Sequence, residues 1–284
     1  MKEGNNWDIV IVPQSNLLEV NLKEVWRYRD LIFMFVKRDF VSFYKQTILG
    51  PLWFIIQPLI TTLTYVVIFG SIANLSTEGQ PAILFYLSGI IFWNFFSTIL
   101  LRTSETFTSN AGVFSKVYFP RLTVPIATVC FSFVSFFIQF SLFIVIFLFY
   151  YFFMDYHPVI TYSILLIPIL ILIVAFFSLG LGIIISSLTT KYRDLKFLVS
   201  FGVQLLMYAA PIVYPMSAVS NEKLAFILKL NPITPVIEIF RCAILSSGSF
   251  DVGVLWYSIT ATCFVLIIGV IIFNKVEKTF MDTI

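Results

Sequence analysis

Apolar runs of about 20 residues follow one another along this chain. A helix of that length matches the ~30 Å hydrocarbon layer of a bilayer. Six such runs are drawn at 52–72, 82–101, 122–153, 159–188, 197–215 and 254–273. Only 12% of the residues are charged and the mean hydropathy is +0.96, whereas a soluble domain carries roughly a quarter charged residues. The expected fold is therefore all-α and integral to the membrane, with six transmembrane helices. The first 20 residues carry acids and lack an apolar core, so no cleavable signal peptide is expected.

Residues 1–49 are expected to form a cytosolic N-terminal segment, and 50–284 the six-span domain. Between 22 and 46 the pattern is helical. Val25, Ile32, Val36 and Phe43 share one stripe of the wheel, opposite Lys23, Arg27, Asp30, Lys37 and Lys45. This predicts an amphipathic helix along the membrane surface. Arg29 and Asp39 fall off the polar stripe, so one of them is expected to pair with a neighbouring element. Residues 216–253, between the fifth and sixth runs, are apolar but broken by Pro232, Pro235, Glu238 and Arg241. Neither apolar piece there is long enough to cross, so two short re-entrant helices are expected near a pathway.

Lysine and arginine set the orientation. With the N-terminus inside, fifteen lie in inside segments and three outside (Lys223, Lys229 and Arg241). Both termini are then cytosolic and the re-entrant pair lies on the far face. No internal repeat is evident, which argues against inverted-repeat carriers.

The chemistry that is missing narrows the function. The runs contain no ionisable residue at depth, which ion-coupled carriers normally need. His157 is the only histidine, and Cys130, Cys242 and Cys263 are far apart, so neither a metal site nor a disulfide framework is expected. No Walker A sequence and no G-x-S-x-G occurs, so P-loop ATP hydrolysis by this chain is excluded. No catalytic residue is assigned.

Two polar loops on the cytosolic side remain. The stretch 112–125 sets Val113, Phe114, Val117, Tyr118 and Phe119 between Lys116 and Arg121, and Pro120 implies a short helix ending near Phe119. Composition leaves two readings open: an interfacial anchor, or a helix seated in a partner's groove. The loop Tyr192-Arg193-Asp194 either caps the fifth span or is a plain stop signal. Ser178, Gly182 and Ser186 recur every four residues and permit close helix approach, within the chain or across a dimer. Trp93 and Asn94, in an aromatic cluster at 92–96, with Trp53, Gln57 and Tyr208, are the candidate path residues. Rings stack on apolar sugar faces, though they also simply pack a bundle.

Several stretches together resemble a known family. They are Tyr44-Lys45-Gln46-Thr47-Ile48-Leu49-Gly50-Pro51-Leu52-Trp53 with Gln57-Pro58, Ser115-Lys116-Val117-Tyr118-Phe119-Pro120-Arg121, Tyr192-Arg193-Asp194, Pro211-Ile212-Val213-Tyr214-Pro215, and Asn231-Pro232 with Pro235. In order and spacing they are similar to permease subunits of ABC-2 type exporters of O-antigen, capsule or teichoic acid. The resemblance implies a homodimer bound to two copies of a separate ATPase, which would hold ATP and magnesium. It implies a coupling helix in the loop after the second span and a lipid-linked polysaccharide as cargo in the inner membrane, with no nucleic-acid partner. It also implies that the surface helix guides entry and that the re-entrant pair lies near the exit. Two other classes stand beside it: a permease of the same superfamily for small lipophilic compounds, and a membrane scaffold or glycosyltransferase. The last lacks the acidic clusters that sugar transfer needs.

Overall fold

The computed structural model describes residues 22–45, 48–192 and 194–279, and all regular structure among them is helical. The described residues begin with α1 (Leu22–Arg27) and α2 (Arg29–Lys45). A 3-10 turn at Gly50–Leu52 opens α3 (Trp53–Tyr65), which widens into a π-helical stretch at Val66–Ile72. Next come α4 (Ala82–Ser104), α5 (Thr106–Phe114) and α6 (Thr123–Phe153). A 3-10 turn at Tyr162–Leu166 leads into α7 (Ile167–Thr189). The chain ends with α8 (Leu195–Tyr208), α9 (Glu222–Lys229), α10 (Ile233–Leu245) and α11 (Val252–Thr279).

Five helical segments are long and apolar enough to cross a membrane: Gly50–Ile72, Ala82–Ser104, Thr123–Phe153, Tyr162–Thr189 and Val252–Val276. The run expected at 197–215 forms a helix only over Leu195–Tyr208, 14 residues long. It stops before Pro211, which has no N–H to continue a helical ladder. The expected tail after 273 is instead helical to Thr279. The N-terminal residues 1–21, together with Gln46 and Thr47 of the family stretch, lie outside the described residues.

Helix α4 is the axis of the fold. Most of its residues are buried, and it packs on α3, α6, α7 and α10. Helix α7 lies between α4 and α11 and meets each through a glycine. A Cβ on Gly182 would stand 2.6 Å from Thr103 Cβ of α4, and one on Gly180 would stand 2.9 Å from Leu266 Cα of α11. The stripe Ser178-Gly182-Ser186 is therefore used within the chain. Its Ser186 Oγ accepts a long hydrogen bond, 3.5 Å, from the Phe107 N–H at the start of α5.

Helix α2 lies against α6. Val25 of α1 and Phe35 of α2 are buried, while Lys23 and Arg27 of α1 and Asp30, Lys37 and Lys45 of α2 are exposed. Of the two off-stripe residues, Asp39 is the one that pairs: its Oδ2 accepts from Arg102 Nη1 of α4 at 3.3 Å. The Arg102 guanidinium also sits 4.2 Å from the Phe131 ring centroid, so a cation stays solvated by π-electrons and a carboxylate at a helix end.

Candidate functional site

Helix α5 is nine residues long and ends at Phe114, five residues before the expected end near Phe119. The Ser115 and Val117 N–H groups still bond back to the Ala111 and Val113 carbonyls, and the chain then extends through Tyr118-Phe119-Pro120. This geometry sorts the seven candidate residues into two sets. Phe114 and Phe119 are 5% and 4% exposed and point inward. Their rings lie 5.5 Å apart in a cluster with Phe35 of α2, Phe107 of α5 and Phe273 of α11. Val113, Val117 and Tyr118 are exposed, as is Lys116, and the Arg121 guanidinium rests 5.8 Å from the Phe114 ring. The result is a rigid turn with an apolar floor and an outward Val-Val-Tyr surface bearing positive charge. What it presents outward is an apolar and aromatic surface with basic flanks.

The loop after α7 lies at the same end. Thr189 Oγ1 donates to the Ser104 carbonyl at 2.8 Å, and Lys196 Nζ pairs with Glu105 Oε1 at 2.8 Å. Both contacts stitch the loop to the α4–α5 junction. Tyr192 and Asp194 are exposed, and Arg193 lies outside the described residues.

The candidate path residues do not come together. Trp93 is 6% exposed and packs on Phe96, within a core that also holds Phe92, Phe136 and Phe240. Asn94 Nδ2 donates to Gln139 Oε1 of α6 at 3.1 Å, and Gln139 donates on to Ser135. The amides at mid-helix thus satisfy one another. Trp53, Gln57 and Tyr208 are exposed on α3 and α8.

At the other end of α4, Pro232, Pro235, Glu238 and Arg241 belong to one buried unit. Helices α9 and α10 have 8 and 13 residues, too short to cross. Twelve of the thirteen residues of α10 are buried. Arg241 is the largest fully buried side chain among the described residues. Its Nε donates to Ser88 Oγ at 3.1 Å, its Nη1 to the Pro211 carbonyl at 2.6 Å, and its Nη2 to the Phe85 and Ile212 carbonyls at 3.1 and 3.0 Å. The guanidinium stacks 3.7 Å from the Phe85 ring centroid. Five fixed N–H donors suit a site rich in carbonyls. Burial pulls its pKa down to about 10, which leaves it charged at neutral pH. Glu238 Oε1 stands 3.8 Å from Arg241 Nη1, and burial pushes its carboxyl above the ordinary range.

Further contacts close this end. Glu78 accepts from Ser217 Oγ at 2.5 Å and from the Gly248 N–H at 2.7 Å. The Tyr156 hydroxyl engages Gln80 and the Leu245 carbonyl, and burial pushes its pKa up to about 12. Reasoning from sequence placed Arg241 in an interfacial hairpin and missed its role as a hub. The available signal was the pair Glu238 and Arg241, three apart in an apolar run.

Among the described residues no group of three or more His, Cys, Asp or Glu is placed to hold a metal. The sequence pattern of the ABC-2 type transporter family matches residues 30–245. The chain is 29% identical over 258 residues to an O-antigen export system permease protein RfbA of Klebsiella pneumoniae, covering 89% of this chain and 94% of that protein. The RfbA permease of Myxococcus xanthus is 26% identical over 221 residues, 78% of this chain and 82% of its own length. The polysialic acid transport protein KpsM of Escherichia coli is 25% identical over 237 residues, 83% and 89% of the two chains. The family pattern takes in the turn after α5, the loop after α7 and the Arg241 hub alike, and this chain belongs to the ABC-2 type transporter family.

Proposed function

We propose that this chain is the membrane-spanning permease subunit of an ATP-binding cassette exporter that moves a lipid-linked polysaccharide, such as O-antigen, across the cytoplasmic membrane. A separate ATPase subunit supplies the energy, since the sequence has no P-loop. The exposed Val113-Val117-Tyr118 surface on its buried aromatic floor carries this reading. It is a stiff, apolar, positively flanked turn of the kind a partner's groove receives. The loop at Tyr192 and Asp194, stitched to the same junction, forms the second contact. The cargo rests on the names of the relatives.

In this reading the working unit is a homodimer with two ATPase copies, which bind ATP and magnesium. Both termini and the turn after α5 face the cytosol, as the fifteen-to-three distribution of basic residues favours. Helix α2 lies at the cytosolic interface. Helix α8 and the segment after it make a further crossing, fifth in chain order, which brings the total to six. Its irregular backbone, with Ala210, Ile212 and Val213 buried, is covered by protein rather than lipid. Helices α9 and α10 are the re-entrant pair at the outer face.

The test is co-expression and co-purification with an ABC ATPase from the same genome, followed by ATP hydrolysis in nanodiscs with added ligands. Stimulation by a lipid-linked glycan is expected. Stimulation by lipophilic drugs alone would replace the cargo assignment, and failure of the two subunits to associate would overturn the reading.

A further inference from the structure

Helices α1 and α2 turn toward the protein the apolar stripe that their sequence offers to a membrane. Val25 is 6% exposed, and Ile32 and Val36 pack on the cluster around Phe35 and Phe119. The outward face is what remains for a partner. Trp26, Phe33 and Met34 are 70%, 68% and 64% exposed on it. Around them stand the exposed cations Lys23, Arg27, Arg29, Lys37, Arg38 and Lys45. Asp30 is the one exposed acid among the described residues of these helices. Arg38 spends its charge on Asp39 at 2.8 Å, and the other five cations carry the face.

The contacts of α2 fix its depth. Asp39 meets Arg102 in the last turn of the long segment Ala82–Ser104. Phe35 meets Phe119, just before Thr123–Phe153 begins. Lys45 closes α2 shortly before Gly50–Ile72, where Leu49, Leu52 and Trp53 continue the exposed apolar surface. Three spans thus meet α2 at the same ends, so it lies across those ends, at the level of the headgroups. There, large apolar side chains insert at the top of the acyl layer while Lys and Arg stems carry their charges to the phosphates. A face this basic is drawn to an anionic surface and gains little from a zwitterionic one.

We propose that the outward face of α1 and α2 binds anionic phospholipid headgroups, with Trp26, Phe33 and Met34 inserted among the lipids and Lys23, Arg27, Arg29 and Lys37 on the phosphates. This requires the membrane-embedded fold and is independent of the cargo.

The test titrates dioleoylphosphatidylglycerol or dioleoylphosphatidylcholine into the full chain in a neutral detergent. The unfolding midpoint and amide hydrogen exchange of residues 22–45 are followed. A higher midpoint and slower exchange are expected with the anionic lipid, and both should fade at high salt. Lys23→Glu combined with Arg27→Glu and Lys37→Glu should need about tenfold or more of that lipid for half the effect. Trp26→Ser with Phe33→Ser, which leaves the charge unchanged, should also weaken the response. Lys223→Glu with Lys229→Glu, on α9 at the opposite end, should respond as wild type does. Midpoints without lipid check that each variant is folded. An equal response to the zwitterionic lipid, a wild-type response in the charge-reversed variant, or the same response to inorganic phosphate alone overturns the lipid surface. So does loss of ATPase association with an unchanged lipid response, which would assign this face to the motor subunit.

Discussion

Gly182 of α7 and Thr103 of α4 are packed so closely that a methyl group on the glycine would overlap the threonine side chain, 2.6 Å from its Cβ. Two residues earlier, a Cβ on Gly180 would stand 2.9 Å from Leu266 Cα on α11. Helix α7 is held on two sides by main-chain contact, the geometry that makes dispersion effective where no hydrophobic drive acts between helices.

Gly180→Val and Gly182→Val are therefore expected to destabilise the fold by about 1–3 kcal/mol or more, because neither facing backbone is free to retreat. Gly202→Ala on α8 meets nothing within 4 Å and is expected to be neutral or stabilising by about 0.5–1 kcal/mol. Unfolding midpoints in detergent check all three. Equal midpoints for the α7 variants and wild type would show that α7 has room these distances deny.

Arg241→Met is expected to cost about 3–5 kcal/mol, since it strands the Glu238 charge and three buried carbonyls. Arg241→Lys should recover little, because an ammonium has three donors on a flexible stem and cannot reach Ser88, Phe85 and Pro211 together. Yield of monodisperse protein and the unfolding midpoint are the measurements. Wild-type behaviour of the lysine variant would refute the fork geometry as the cause.

Tyr118→Ala and Phe119→Ala separate docking from anchoring. Tyr118 is 62% exposed and Phe119 4%. The first is expected to leave the unfolding midpoint unchanged while weakening ATPase association by about tenfold or more. The second removes a ring from the Phe35–Phe114 cluster and should lower stability by about 3–5 kcal/mol. The docking assignment fails if Tyr118→Ala binds the ATPase as tightly as wild type.

Glu238 gives the fold a pH dependence. Burial, opposed by Arg241 and reinforced by Glu78, raises its carboxyl pKa above that of the unfolded chain. The native state then holds a proton that the unfolded state has released, over the window between the ordinary carboxylate value and the raised one. Stability from this group is full below that window and falls as pH rises through it. Glu238→Gln, neutral throughout, should lack this slope. Unfolding midpoints from about pH 4 to about pH 8 test it: the variant should gain on wild type as pH rises, and parallel curves would rule the effect out.

Much of the architecture was legible because a bilayer demands long apolar helices, and five of the six expected runs recur, with small shifts at their ends, as the five long segments. The run at 197–215 is a helix only over Leu195–Tyr208, because apolar content alone does not register Pro211 as a stop. Asp39 was readable as an off-stripe acid, and it meets Arg102. The inward turn of Phe114 and Phe119 was not readable. The five aromatic and aliphatic residues among 113–119 look alike until tertiary packing chooses which of them face the core. Trp93 and its neighbours illustrate the same ambiguity, since a ring fit to stack on sugar is equally fit to fill a bundle. Arg241 was hidden because its partners are main-chain carbonyls, which every sequence has.

The floor beneath Tyr118 has a mechanical meaning. Phe119 touches Phe114 on one side and, at 5.8 Å between ring centroids, Phe35 of α2 on the other. Rings packed this way resist compression, so a thrust delivered to the turn displaces the surface helix with it. If the proposed ATPase docks on this turn and α2 guides the proposed cargo, the two roles are two ends of one lever, joined by tilted phenylalanine rings.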